Sequence, residues 1–150
     1  FHQERMQSNP DGFGTDVLRR LRTGAAYTST EYILARKTQA QLRHAFCQFF
    51  NHYDLLLTPT TPVPALVRGS EDAVARARLL TRFTAPFNLT GLPALSVPCG
   101  LTREGLPVGL QLVGPPWSEQ RLLRAGFAFE TYRMENGSAP LYPELSARRG

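Results

Sequence analysis

Lysine, cysteine and histidine are scarce in this sequence, and their scarcity excludes several kinds of site. Lys37 is the only lysine, against sixteen arginines. The two cysteines, Cys47 and Cys99, lack C-x-x-C spacing, so they predict free thiols in a reducing compartment rather than a disulfide framework. His44 and His52 are not joined by an H-E-x-x-H motif or by paired carboxylates. We therefore expect no metal site and no cofactor.

Long apolar runs are also missing. No run approaches the roughly 18 residues that a membrane-spanning helix needs, so we expect no membrane partner. The first residues, FHQERMQSNPDG, contain no apolar stretch typical of a secretory signal. Together these observations predict a cytoplasmic protein. Because the chain begins with Phe1 instead of Met, we also expect a fragment or a processed chain.

The charge is positive, with a formal net value of +5. The arginines are scattered, without a block of about five or six like charges or interleaved aromatic residues that could stack on bases. A solvated basic surface is therefore favoured over a nucleic-acid site, and we expect no nucleic-acid partner. A non-catalytic α/β module that recruits an anion remains an alternative, and a clustered basic face would support it.

The 150 residues are enough for one domain with one core, and the clearest element in them is a long helix. A short helix is predicted over 16–23, ended by Gly24. The long helix begins at Thr28, which has capping-box spacing to Glu31, and runs to about Asn51. Its predicted inward face consists of residues spaced by three and four: Tyr32, Ala35, Gln39, Leu42, Phe46, Phe49 and Tyr53.

Three short strands follow, over 54–58, 94–98 and 108–113. Further helices are predicted from Ser70 to about Arg82 and from Ser118 onward, and an irregular tail from Asn136. In the last strand, Val108, Leu110 and Leu112 alternate with Gly109 and Gln111. The order of elements predicts an α/β fold, part of a β-sheet layered by helices, with at least one hairpin-like pair. The run Leu55–Leu57 predicts a strand buried on both faces.

Motifs that carry catalytic chemistry are absent from the sequence. There is no G-x-S-x-G elbow, P-loop or G-x-G-x-x-G. Ser96 lies between Leu95 and Val97 without a neighbouring glycine, which favours a structural role over a nucleophilic one. We therefore predict no catalytic residue in this chain.

The stretch TAPFNLTGLPALSVPCG, residues 84–100, has too many prolines and glycines for a predicted helix and is too apolar for a solvated loop. We interpret it as a rigid bend in which Pro93 and Pro98 stop strands and Asn88 bonds to a turn. This stretch, followed by GLPVGLQLVG and preceded by DLLLTPTTPVPA, resembles the C-terminal part of the amidase signature family. The resemblance divides the chain into a helical lead-in (1–27), a matching segment (28–133) and an irregular tail (134–150).

The resemblance implies a mixed β-sheet and an enzyme that hydrolyses a carboxylic amide to an acid and ammonia or an amine. The family's catalytic Lys and two Ser belong to the N-terminal half. The only lysine here lies in the wrong context, on the long helix. The chain would therefore supply part of the sheet and one wall of the substrate pocket, and we expect it to be inactive alone. Sheet surface left uncovered could lead to self-association.

The resemblance also implies a substrate-binding role for Gln39, Thr81 and Asn88. Members that release ammonia from glutamine carry an Arg at the position of Gln39 and an Asp at that of Thr81. Neutral residues at both positions favour a neutral or apolar small-molecule amide. An amidotransferase A-type subunit that releases ammonia from glutamine remains the alternative. For Asn88, a role in packing remains open.

Overall fold

The computed structural model describes residues 2–66 and 78–137. The chain forms two compact units, Phe1–Gln41 and Leu42–Gly150. The division into lead-in, matching segment and tail remains a prediction.

The first unit is helical. It contains α1 (Gln3–Ser8), a 3-10 turn (Pro10–Gly12), α2 (Thr15–Ala25) and the beginning of α3 (Ser29–Phe50). The helix predicted over 16–23 is confirmed as α2, but it continues through Gly24 to Ala25, because Gly24 keeps helical backbone angles instead of ending the helix. The first two elements were not predicted, since they are too short to show a period.

The capping box at the start of α3 is confirmed. The Thr28 N–H donates to Glu31 Oε2 at 2.7 Å, and the Glu31 N–H donates to Thr28 Oγ1 at 3.2 Å. The predicted inward face is correct only in part. Tyr32, Ala35 and Tyr53 are exposed, and burial along the helix begins at Gln39 and continues at Leu42, Phe46 and Phe49.

The second unit contains a three-stranded antiparallel sheet with the order β1-β3-β2, made of β1 (Leu56–Pro59), β2 (Ala94–Leu101) and β3 (Pro107–Val113). The predicted α/β class is confirmed. The expectation that Pro98 stops β2 was wrong. β2 is an edge strand and bulges between Pro98 and Gly100, and both features tolerate a proline. A short turn closes the β2–β3 hairpin, in which the Thr102 hydroxyl accepts bonds from the N–H groups of Glu104 and Leu106, both at 3.2 Å.

The alternation predicted for β3 is confirmed. One face of the sheet, the apolar face, carries Leu95 and Val97 from β2 and Leu110 and Leu112 from β3. Helix α5 (Glu119–Glu135) packs on this face through Leu122, and lies mainly over β2 and β3.

The strand that is buried on both faces is β3, not β1 as we expected. Gln111, Leu112 and Val113 are buried, whereas Leu57 in β1 is 56% exposed. The reason is the strand order. β1 lies at the edge of the sheet, beyond the strands that α5 mainly covers, and β3 lies in the middle.

Where a helix-free bend was predicted, the structure has helix α4 (Ala85–Thr90). The proline and the glycine lie at the two ends of this helix, where these residue types are compatible with helical structure. Pro86 lies in the first turn, and Gly91 ends the helix with a left-handed φ of 72°. The buried Phe87 packs against Phe46 of α3, with 5.6 Å between the ring centroids.

Two further expectations concern helix starts. Most of the helix predicted from Ser70 to Arg82 lies outside the described residues, although residues 78–80 are helical. Helix α5 begins after Ser118 as predicted, but the Ser118 hydroxyl donates to the Pro115 carbonyl at 2.7 Å instead of capping the helix. Most of the tail predicted as irregular also lies outside the described residues.

Candidate functional site

The second face of the sheet, which we call the polar face, carries a row of polar side chains across all three strands. Thr58 of β1, Gln111 of β3 and Ser96 of β2 stand side by side in the strand register. Thr60 and Gly109 lie next to this row. Because the other face of this sheet is apolar, we take the polar row as the candidate site of the described part of the second unit.

Gln111 connects this row to the segment that leads into α4. Its side chain is only 3% exposed. The Nε2 atom donates to Thr58 Oγ1 at 2.9 Å and to the backbone carbonyl of Phe83 at 3.0 Å. A buried amide must be hydrogen-bonded, because an unsatisfied polar group costs about 1–3 kcal/mol. Gln111 therefore joins β1, β3 and the Phe83 backbone through one amide group.

Ser96 and Thr60 form a hydroxyl pair on the same face. Their Oγ and Oγ1 atoms are 2.6 Å apart, and the Thr60 N–H donates to the Gly109 carbonyl at 2.9 Å. The partner of the Ser96 hydroxyl is thus another hydroxyl, which cannot act as a strong base. The geometry agrees with a structural role for Ser96.

The structure brings two of the three predicted binding residues onto one segment. Thr81 accepts bonds from the N–H groups of Thr84 and Ala85, and Thr84 accepts from the N–H of Asn88. The backbone therefore follows a helical path, on which a spacing of two turns places Thr81 and Asn88 on the same side. Both residues are exposed.

The surroundings of Asn88 and Thr81 differ in detail from the predicted ones. Asn88 lies within α4 and not in a turn, because the helix forms where a bend was predicted. The Thr81 hydroxyl donates to the Arg78 carbonyl at 3.1 Å, so the side chain is held locally while it stays exposed.

The third predicted residue, Gln39, belongs to the first unit, whereas Thr81 and Asn88 belong to the second. It is half-buried, whereas every other residue from Ser29 to Gln41 is exposed. The only lysine, Lys37, lies on the same helix and is exposed. Gln39 is therefore the least exposed position of this part of α3.

In the described part of the chain, the two carboxyl groups with a shifted pKa are not members of the polar row. The pKa of Glu31 is lowered by the hydrogen bond from the Thr28 backbone and then by that from its side chain, and the pKa of Glu104 is lowered mainly by Thr102. Both groups are exposed and stand at a helix start and a hairpin turn. Among residues 2–66 and 78–137, no three or more His, Cys, Asp or Glu side chains are grouped to hold a metal ion.

No helix within the described part of the chain has both the length and the apolar character needed to cross a membrane.

A family model described as Amidase matches residues 3–123, which include the polar face and the segment with Thr81 and Asn88. The chain belongs to the amidase family. The resemblance seen in the residues around TAPFNLTGLPALSVPCG is thereby confirmed.

Curated relatives of this amidase-family chain include the A-type subunit of the glutamyl-tRNA(Gln) amidotransferase of Myxococcus xanthus. It is 44% identical over 138 residues, which cover 87% of this chain and 28% of the relative. The corresponding protein of Moorella thermoacetica is 43% identical over 131 residues, 83% of this chain and 27% of the relative. The chain thus spans little more than a quarter of the length of these relatives.

Solved structures show the same similarity. An amidase crystal structure matches with a TM-score of 0.77 and 30% identity over 87% of this chain and 31% of that one. The A-type subunit of the glutamyl-tRNA(Gln) amidotransferase of Thermotoga maritima matches with a TM-score of 0.60 and 33% identity over 79% of this chain and 27% of that one.

No role was assigned from the sequence to Gln111, the residue that connects the polar row to the segment before α4. The alternation along β3 correctly predicted that Gln111 and Gly109 lie on the same face of the strand, but no function was predicted for Gln111. The signal was present, because a long amide in an otherwise apolar central strand must find partners when it is buried.

Proposed function

We propose that this chain is the C-terminal part of an amidase that hydrolyses a carboxylic amide to an acid and ammonia or an amine. The observation that carries the proposal is the amidase family match over residues 3–123. The second unit would supply part of the sheet and one wall of the substrate pocket, lined by Thr81 and Asn88. The family resemblance assigns a substrate-binding role to Gln39 of the first unit as well.

The side chains proposed for the pocket wall are all neutral. A hydroxyl and two amides can donate to a substrate carbonyl and accept from its N–H, but they cannot neutralise a charge. A charge-assisted bond is roughly twice as strong as a neutral one, so a substrate with a free carboxylate and amine would gain little here. We therefore propose an amide without these charged groups as the substrate.

The catalytic groups would come from elsewhere in the whole protein. The family resemblance assigns the nucleophile and its proton relay to the N-terminal half, and the Ser96 hydroxyl is paired with Thr60. The 150-residue chain by itself is therefore expected not to hydrolyse amides.

A second candidate is the release of ammonia from glutamine for a tRNA-linked synthesis. The names of the curated relatives favour it, since they are A-type subunits of glutamyl-tRNA(Gln) amidotransferases. Gln39 and Thr81 argue against it, because the resemblance implies an Arg and an Asp at these positions in glutamine-using members. The two candidates thus differ in whether the pocket holds a charged or a neutral substrate.

The deciding experiment compares kcat/KM for glutamine and for a neutral amide such as benzamide, using the full-length protein. The wild type should prefer the neutral amide. The double variant Gln39→Arg with Thr81→Asp should shift the preference toward glutamine by roughly ten- to a hundredfold per contact. The reversed pair, Gln39→Asp with Thr81→Arg, is the matched control and should produce no such shift.

Two results would contradict the proposed substrate. A wild type that already prefers glutamine would support the second candidate. A folded double variant with unchanged preference would show that Gln39 and Thr81 do not line the pocket. Self-association and a cytoplasmic location remain predictions from the sequence.

A further inference from the structure

We propose that Gln111 is a positioning residue that holds the substrate-binding segment Thr81–Asn88 against the sheet. This inference rests on the proposed function, because it assigns Gln111 the task of fixing the pocket wall. Gln111 itself would not touch the substrate.

The geometry defines which way the Gln111 amide points. The Phe83 carbonyl can only accept a hydrogen bond, so the nitrogen of the amide must face it, at 3.0 Å. The Thr58 hydroxyl lies 2.9 Å from the same nitrogen. Both hydrogens of one NH₂ group are therefore used, one toward β1 and one toward the segment.

The position of Phe83 makes this bond important for the segment. Phe83 lies between Thr81 and Thr84, whose carbonyls accept the helical bonds that lead to Asn88. The far end of the segment is fixed separately, because Phe87 and Thr90 are buried at 6% and 3% exposure. Gln111 anchors the near end, so its loss should free Thr81 more than it frees the C-terminal end of α4.

Burial makes the anchor hard to replace by water. Gln111 is 3% exposed and its strand is covered on both faces. A side chain of the same length without donors would leave the Phe83 carbonyl unpaired, and the segment would move to satisfy it.

The test uses the full-length protein and two matched variants. Gln111→Met keeps the length and volume but removes both donors, whereas Thr58→Val removes only the partner in β1. We expect Gln111→Met to raise KM for the neutral amide about five- to tenfold, with kcat changed less than about twofold. Thr58→Val should leave KM within about twofold of the wild type, since the bond to Phe83 survives.

A second measurement does not depend on activity. Hydrogen exchange of the backbone amides of Ala85 and Asn88, which bond to Thr81 and Thr84, reports directly on the segment. Exchange should be at least about fivefold faster in Gln111→Met than in Thr58→Val. If Gln111→Met does not fold, Gln111→Asn takes its place, because its shorter amide cannot reach both partners.

The outcomes separate this inference from the proposed function. If the full-length wild type hydrolyses no amide, the proposed function fails, and hydrogen exchange alone decides whether Gln111 holds the segment. If the wild type is active but the Gln111 variant matches Thr58→Val in both KM and exchange, the positioning role is overturned.

Discussion

The hydroxyls of Ser96 and Thr60 meet 2.6 Å apart in front of Gly109, where a side chain would keep them apart. A β-carbon added at Gly109 would lie 2.7 Å from Thr60 Oγ1 and 2.9 Å from Ser96 Oγ. The glycine therefore allows Thr60, which directly follows β1, to reach Ser96 of β2 across the central strand.

Gly109→Ala should destabilise the protein by about 1–3 kcal/mol, because the added methyl group overpacks the polar face. Urea denaturation measures the change. The control is Gly100→Ala, since a β-carbon at Gly100 would meet no atom within 4 Å and should cost little. In a Ser96→Ala and Thr60→Ala background, part of the loss should disappear, because both hydroxyls are gone while Thr60 Cβ, 3.1 Å from the added β-carbon, remains. An undiminished loss would show that the hydroxyl pair is not what the methyl group disturbs.

The stability of the first turn of α3 should depend on pH, because the Glu31 carboxylate caps it. The hydrogen bonds from Thr28 lower the pKa of Glu31 in the folded chain. The ionised Glu31 carboxylate therefore stabilises the folded chain fully at a pH above the pKa that Glu31 has when unfolded. This stabilisation is lost as the pH falls through the lower pKa that Glu31 has when folded. NMR titration should give a higher pKa for Glu31 in Thr28→Ala. The pKa of Glu104, lowered by Thr102, is the internal control and should not change. Because Thr28→Ala keeps the backbone N–H of residue 28, the rise reports on the side-chain hydrogen bond alone; an unchanged Glu31 pKa would show that this bond does not contribute.

Leu57 should promote self-association of the 150-residue chain. It is 56% exposed and lies directly opposite Leu112, which is 4% exposed. Leu57→Thr should reduce association in sedimentation velocity and change stability by less than about 0.5 kcal/mol. The matched change in the core, Leu112→Ala, should cost about 2–5 kcal/mol. A wild-type chain that stays monomeric at every concentration would contradict the prediction.

Features that depend only on residues close together in the chain were predicted correctly from the sequence. The cap at Thr28 and the alternation of Gly109 and Gln111 with their apolar neighbours follow from spacings of a few residues. The burial of Leu57 was predicted wrongly, because it depends on which strand becomes the central one. Strand order is set by contacts across the whole chain, and no local period encodes it.

The difference between local and long-range contacts also explains why the role of Gln111 was not predicted. Gln111 bonds to Thr58, 53 residues away, and to Phe83, 28 residues away, so its role cannot be seen in any short window of sequence. Helix α4 was missed because prolines and glycines were counted without regard to position. Pro86 in the first turn and Gly91 at the end define this helix and do not break it.

The short turn at Thr102 has a consequence for the order in which the sheet assembles. The β2–β3 hairpin closes through residues next to each other in the chain, so its entropic cost is small, and α5 follows it directly. β1 must instead wait for a partner that is synthesised about fifty residues later. During translation, the leucines of β1 leave the ribosome before β3 exists. Of the three described strands, β1 is therefore the one that waits longest for its partner.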